Sequence, residues 1–201
     1  MARTVEDTKK QLMAAATAEF AARGPHATTM EQIAKSAGVN KERLYAYYGD
    51  KLQVFAAVLA GELAKVADAV PIDVLEKEGP GEYAGHCFDY LDAHPELIRL
   101  LHWEALTFGD TEFPDEARRT DYYRQKVNAV AATRATSPTT DQPDAAHLYA
   151  LLLAVAHWWF ALPQLARMIT GSGGDDRAER GRRRAAVVEA ATRIATRPGS
   201  S

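Results

Sequence analysis

The stretch from Thr28 to Lys51, TTMEQIAKSAGVNKERLYAYYGDK, constrains this chain more than any other. Thr28 and Glu31 have the spacing of a capping box, in which each side chain satisfies a backbone N–H left unpaired at a helix start. A helix is therefore predicted from about Met30, with Ile33, Ala34 and Ala37 at helical spacing and Gly38 where a left-handed residue ends it. Asn40 is placed to cap a second helix, whose Leu44, Tyr47 and Tyr48 fall at i, i+3 and i+4. Two helices of about two turns each, joined by a few residues with glycine at the turn, fit either an ordinary helical hairpin or a helix-turn-helix unit. In the latter the second helix enters a DNA major groove.

Charge distribution favours the second alternative. The 201-residue chain carries a net charge of −3, which by itself argues against a nucleic-acid partner. Through Val58, however, 8 Lys+Arg stand against 6 Asp+Glu, a net +2, whereas from Leu59 to Gly174 the count is 9 against 17, a net −8. Lys41, Arg43 and Lys51 lie in or beside the second short helix. An acidic body with one basic end orients a molecule on DNA rather than repelling it.

Helical periodicity continues through the rest of the chain, and strand signals are almost absent, so an all-α fold of about nine helices is expected. A first helix from Val5 to Arg23 carries Leu12, Met13, Ala16 and Phe20 on one stripe and stops at Gly24-Pro25. Asp50 caps a fourth helix to Ala69, ended by Pro71. Glu78 to Gly81 reads as a turn before a fifth helix from Glu82 to Ala93. The sixth, opening at Pro95 and running to Phe108, is apolar nearly all round and is expected at the centre of a second domain. A seventh begins at Pro114 and ends before the polar loop Ser137 to Pro143. An eighth, from Asp144 to Thr170, should kink at Pro163. After a Gly-rich break a ninth follows from Arg177 to Thr196, its start marked by the capping spacing of Asp176 and Glu179, and the final RPGSS is expected to fray. The longest apolar run, Tyr149 to Leu162, is shorter than the roughly 20 residues a bilayer span needs, so it reads as a buried helix and not an anchor. A single cysteine, Cys87, suits a reducing compartment, and no secretory signal is visible.

The ordered set Phe20, Gly24, Thr28-Thr29, Ile33-Ala34, Ala37-Gly38-Val39, Leu44-Tyr45, Lys51-Leu52 and Phe55 resembles the TetR family of bacterial transcriptional regulators. Tyr48 departs from it, standing where many members carry Phe. The resemblance implies a helix-turn-helix DNA-binding domain over 1–49. It also implies an all-helical ligand-binding and dimerisation domain over 50–201, with 50–69 as the linking helix. The function implied is that of a cytoplasmic, homodimeric repressor, nucleoid-associated when bound, that leaves a palindromic operator when an apolar or aromatic small molecule binds.

Site residues follow from the same resemblance. Lys41, Glu42, Arg43, Tyr45 and Tyr47 would face the groove, and Thr29 and Lys51 would contact phosphate. Lysine and arginine donate to guanine O6 and N7, and a carboxylate can accept from a cytosine amino group. Glu42 fits equally a solvated ion pair, and Tyr47 shares the stripe of Leu44, so both stay open. Arg180, Arg182, Arg183 and Arg184 read as a solvated face, with a second DNA site as the alternative. The last two long helices would form the dimer interface through Leu148, Leu151, Leu152, Val155, Leu165, Val187, Ala191 and Ile194. Effector-pocket candidates are Tyr90, His102, Trp103, Glu104, Tyr122, His157, Trp158 and Phe160, with Glu104 either a ligand contact or a paired structural carboxylate. The six histidines show no metal-binding spacing, and no phosphate loop or nucleophile elbow appears. No metal, cofactor or catalysis is expected. An acid/base role for Glu104 and the histidines, or a protein-binding adaptor, would be the rival readings.

Overall fold

The computed structural model describes residues 4–114, 116–134, 144–172 and 177–196, which form eleven helices and no strand. They are α1 (Val5–Ala27), α2 (Met30–Ala37), α3 (Lys41–Tyr48), α4 (Lys51–Ala69), α5 (Asp73–Lys77), α6 (Gly79–Ala93), α7 (Pro95–Phe108), α8 (Glu116–Arg134), α9 (Ala145–Ala161), α10 (Pro163–Thr170) and α11 (Arg177–Ala195). They group into two compact units, residues 1–65 with 94–117, and residues 66–93 with 118–201. The first unit is thus larger than the 49-residue domain expected from sequence.

In the first unit Leu12, Ala16 and Phe20 of α1, Ile33 of α2, Leu44 of α3, Val54, Phe55 and Leu59 of α4 and Leu100 of α7 are fully buried in one core. Phe20 meets the edge of Phe55 at 5.2 Å, and Phe55 stacks on Phe108 at 6.5 Å, contacts that add about 1 kcal/mol each beyond area burial. The apolar richness of α7 therefore serves this unit and not the second, contrary to expectation. Its outer face is open, with Leu106 exposed. Gly24 interrupts α1 at φ 73° and ψ 170°, a region only glycine adopts readily. The Trp103 ring fills the space where a Cβ would stand, 2.6 Å from that position.

The second unit packs α6, α9 and α11 around Tyr83, Ala84, Phe88, Leu148, Leu152, Ala156, Val187 and Ala191. An ionic ladder locks α11 to α6. Arg184 bonds Asp89 at 2.7 Å and Glu82 at 2.9 Å, and Arg180 bonds Asp92 at 2.7 Å. Arg182 and Arg183 are spent on Glu179. The arginine run is therefore occupied in holding its own unit together.

Several expected boundaries shift. The predicted turn at Glu78–Gly81 is the start of α6, since Gly79, Pro80 and Gly81 are tolerated in a first turn where N–H groups are unpaired anyway. The short α5 was not expected. Pro163 does more than kink a long helix: it is the first residue of α10, whose axis turns 85° from α9. Among the described residues no single helix is long and apolar enough to cross a membrane. The loop 137–143, Asp176 and the final RPGSS lie outside the described residues.

Candidate nucleic-acid interface

Local chemistry sets the geometry of α2 and α3. The cap of α2 is Thr29, not Thr28: its hydroxyl accepts from Gln32 N–H at 3.2 Å while the Gln32 side chain accepts from Thr29 N–H at 2.8 Å. Thr28 is instead buried, its hydroxyl donating to the Glu19 carbonyl at 3.2 Å and so fastening the entry of α2 to α1. Gly38 closes α2 in the left-handed region at φ 61° and ψ 36°, with Val39 N–H donating back to Ala34. Asn40 then caps α3 by accepting from Glu42 N–H at 3.1 Å. A capping box between Asp50 and Gln53 starts α4.

These caps leave α3 pinned by one fully buried residue, Leu44, with its opposite face free. Glu42, Arg43 and Tyr45 are exposed, Tyr45 at 46%, and Lys41 is half-exposed. Lys41 stands 2.5 Å from Glu31 of α2 and 6.0 Å from the Tyr45 ring centroid. The Glu31 hydrogen bond raises the Lys41 pKa and lowers that of Glu31. Tyr47 is half-buried against the core, its ring 6.3 Å from that of Tyr48 and 5.4 Å from the Lys9 ammonium. Lys51 donates to the His26 carbonyl at 3.4 Å, and Thr29 is exposed. The result is a two-helix head with an outward row of donors and an aromatic ring. Sequence reasoning gave Glu31 a capping role and missed its ion pair. Its place in the first turn of α2 could not signal a contact to a residue ten positions on.

The comparisons with known proteins agree with that geometry. Residues 12–58 match the profile described as "Bacterial regulatory proteins, tetR family", and residues 80–193 match "Tetracyclin repressor-like, C-terminal domain". The chain belongs to the TetR family. Among TetR-family relatives, the HTH-type transcriptional repressor SCO4008 of Streptomyces coelicolor is 41% identical over 172 residues, covering 86% of this chain and 88% of that protein. The solved structure of putative transcriptional regulator SCO4942, also from Streptomyces coelicolor, superposes with a TM-score of 0.76 at 27% identity, covering 95% of this chain and 99% of the other. FadR of Bacillus subtilis, solved with stearoyl-CoA, shares the TetR fold at a TM-score of 0.67 and 14% identity, covering 92% and 98%. The protein is a helix-turn-helix transcriptional regulator.

The effector-pocket candidates divide between the units of this TetR-family fold. His102, Trp103 and Glu104 stand half-buried on α7 in the first unit, where Trp103 is taken up by the packing on Gly24. Tyr90, Tyr122, His157, Trp158 and Phe160 are half-buried in the second. There Phe160 packs on Phe88 at 5.0 Å and Trp158 on Trp159 at 5.2 Å. A groove of about 650 Å³ in the first unit, between Met13, Tyr48 and the buried Glu62, is lined by none of the eight.

Of the eight residues expected at a dimer interface, four face inward within the single chain. Leu148, Leu152, Val187 and Ala191 are at most 3% exposed within the chain's own core, because α9 and α11 turn those stripes toward α6. Leu151 and Leu165 are exposed, and Val155 and Ile194 half-buried. Leu162, Met168 and Ile169 extend the exposed apolar surface along α10.

Proposed function

We propose that the protein is a homodimeric repressor that reads a palindromic operator with α3 of each subunit and releases it when a small molecule binds in the second, helical unit. The observation that carries the reading is the outward row Lys41, Arg43 and Tyr45 on a helix anchored by the buried Leu44. Arg43 donates to guanine in the major groove and Lys41 to guanine or a neighbouring phosphate, while Tyr45 offers ring surface to a thymine methyl. Glu42, for which no ion pair occurs among the described residues, faces the same groove. Thr29 and Lys51, at the starts of α2 and α4, hold phosphates with the backbone N–H groups there. Tyr47 supports the row from the core side. The name of the relative SCO4008 supports repression over activation.

Two such heads about 34–36 Å apart read one turn of DNA, which demands a partner copy. The exposed apolar faces of α9 and α10, through Leu151, Leu162, Leu165 and Met168, supply the surface for it. Release needs only that the effector prefer a conformer with the heads out of register, a coupling of about 1–3 kcal/mol. The regulator acts in the cytoplasm, on the nucleoid.

Gel-shift titration on an operator selected from random DNA tests this. Arg43→Ala should weaken the selected site by about 10- to 100-fold, while Lys51→Ala should weaken all sequences alike and reduce the salt slope by about 1. Wild-type affinity in both variants would sink the assignment.

A further inference from the structure

The groove of the first unit lies where α1, α3, α4 and α7 meet, and its volume of about 650 Å³ is within the range that takes drug-sized molecules. Its charged lining is evenly mixed: Glu6, Lys9, Lys10, Glu62, Lys65 and Glu96. Burial separates the two signs. Lys9, Lys10 and Lys65 are all exposed, and side chains of that length carry their charged heads toward water. Glu6 is exposed as well and stands 4.0 Å from Lys10, while Glu96 is half-buried at 3.0 Å from His94 Nδ1. Glu62 alone of the six is buried, at 6% exposure. The inner wall of the groove is therefore negative.

Glu62 meets both of its partners on one oxygen. Oε1 accepts from the Thr17 hydroxyl at 3.2 Å and from the Lys65 ammonium at 2.9 Å, and Oε2 accepts from no described residue. Lys65 is a loose partner, since its side chain is 64% exposed against 8% for that of Glu62. It shows that an ammonium fits at this carboxylate, and it can return to water at small loss because most of it is already there. The remaining lining suits an apolar body. Met13 and Tyr48 are half-buried against the core of the unit, and the exposed alanines Ala14 and Ala18 keep the α1 wall low. An aromatic face attracts a cation, and a thioether packs well on an aromatic ring.

We propose that this groove is a ligand site of the helix-turn-helix unit, taking a primary ammonium carried on an aromatic body. The ammonium replaces that of Lys65 on Glu62, a charge-assisted hydrogen bond stronger than a neutral one, and the ring lies along Met13 and Tyr48. The site is separate from an effector in the second unit and stands without one. Tyr48 is the last residue of α3, so an occupant of the groove meets the end of the reading helix.

Calorimetric titration of the full chain near neutral pH tests this with three naphthalenes that differ in one group: naphthylmethylammonium, naphthylmethanol and naphthoate. Wild type should bind the ammonium at least about tenfold tighter than the alcohol, and naphthoate more weakly than either. Glu62→Gln, which keeps the shape and removes the charge, should erase that preference. Ala14→Trp, at an exposed position, should obstruct the groove with the carboxylate in place and weaken the ammonium at least about tenfold; it decides the matter if Glu62→Gln misfolds. Lys65→Met should tighten the ammonium several-fold, because the resident ammonium no longer competes, a gain that a purely structural Glu62 would not give. Equal binding of ammonium and alcohol, a preference for naphthoate, or no ammonium binding at about 1 mM would each overturn the site. So would an ammonium affinity that Glu62→Gln or Ala14→Trp leaves unchanged, which would put the probe elsewhere in the chain, or one that Lys65→Met fails to raise.

Discussion

The Lys41 ammonium lies 2.5 Å from the Glu31 carboxylate, an ion pair that ties the first residue of α3 to the first turn of α2. It makes the foremost basic side chain of the reading head a partly neutralised one. Glu31→Gln should free Lys41 for phosphate and remove a negative charge from the DNA-facing surface. Binding to operator and to unrelated DNA should then tighten alike, several-fold, and the salt slope should grow by about 1. Stability should barely move, because both groups are exposed and such pairs contribute about 0–1 kcal/mol. Gel-shift titration across a range of salt concentrations checks this. Tightening confined to the operator would mean instead that Lys41 reads a base.

Gly24 and Trp103 predict a second contrast. Alanine at Gly24 must hold a backbone at φ 73°, ψ 170° and also place its methyl inside the Trp103 ring. The backbone term costs about 1–3 kcal/mol and the displaced ring about 1–3 more. Gly38→Ala meets no atom within 4 Å, so only the left-handed conformation counts, about 1–2 kcal/mol. Urea melts should rank wild type, Gly38→Ala and Gly24→Ala in falling stability. Equal losses would show that the Trp103 contact contributes nothing.

These residues also show what sequence could and could not reveal. Periodicity and caps located α2 and α3 because each depends on neighbours within four residues, and Leu44 as the inward anchor followed from spacing alone. The cap at Thr29 was misplaced by one residue because Thr28-Thr29 offers two hydroxyls, and only the long-range bond from Thr28 to the Glu19 carbonyl separates them. The unit to which α7 belongs was not legible: an all-round apolar helix declares that it will be buried, not against what. The same limit applies to α9 and α11, whose stripes were assigned to a partner copy although α6 already covers half of them. Glu31 depends on a residue from another element, Lys41 of α3, and no local pattern announces that pair.

Glu179 gives stability a pH dependence. Hydrogen bonds from Ser172, then Arg182 and Arg183, hold its pKa down to about 2 from an ordinary 4.5. A depressed carboxyl stabilises the fold when ionised, so its contribution is full above about pH 4.5, erodes below it, and is gone once pH falls through about 2. Glu179→Gln should therefore melt well below wild type at neutral pH, with the gap closing as acid is added. Melting curves recorded from neutral pH down to pH 2 check this. A gap that stays constant would mean that the loss is one of packing and not of charge.

Adjacent leucines on α9 separate folding from assembly. Leu152 is fully buried in the second unit's core, whereas Leu151 is 41% exposed, beside a surface continued by Leu162, Leu165 and Met168. A carboxylate at position 152 would be buried without a partner, so Leu152→Asp should unfold the unit, losing well over about 3 kcal/mol. At position 151 it meets water in the single chain, and thermal stability measured at low protein concentration should change by less than about 1 kcal/mol. In a dimer that buries this face, however, Leu151→Asp places two carboxylates in an apolar seam. Light scattering should then report a monomer for Leu151→Asp where wild type is a dimer. Operator affinity should fall with it, because one head holds only half of a palindrome. If Leu151→Asp remains dimeric and binds operator as wild type does, the partner copy docks elsewhere, and the exposed face of α9 and α10 has another use.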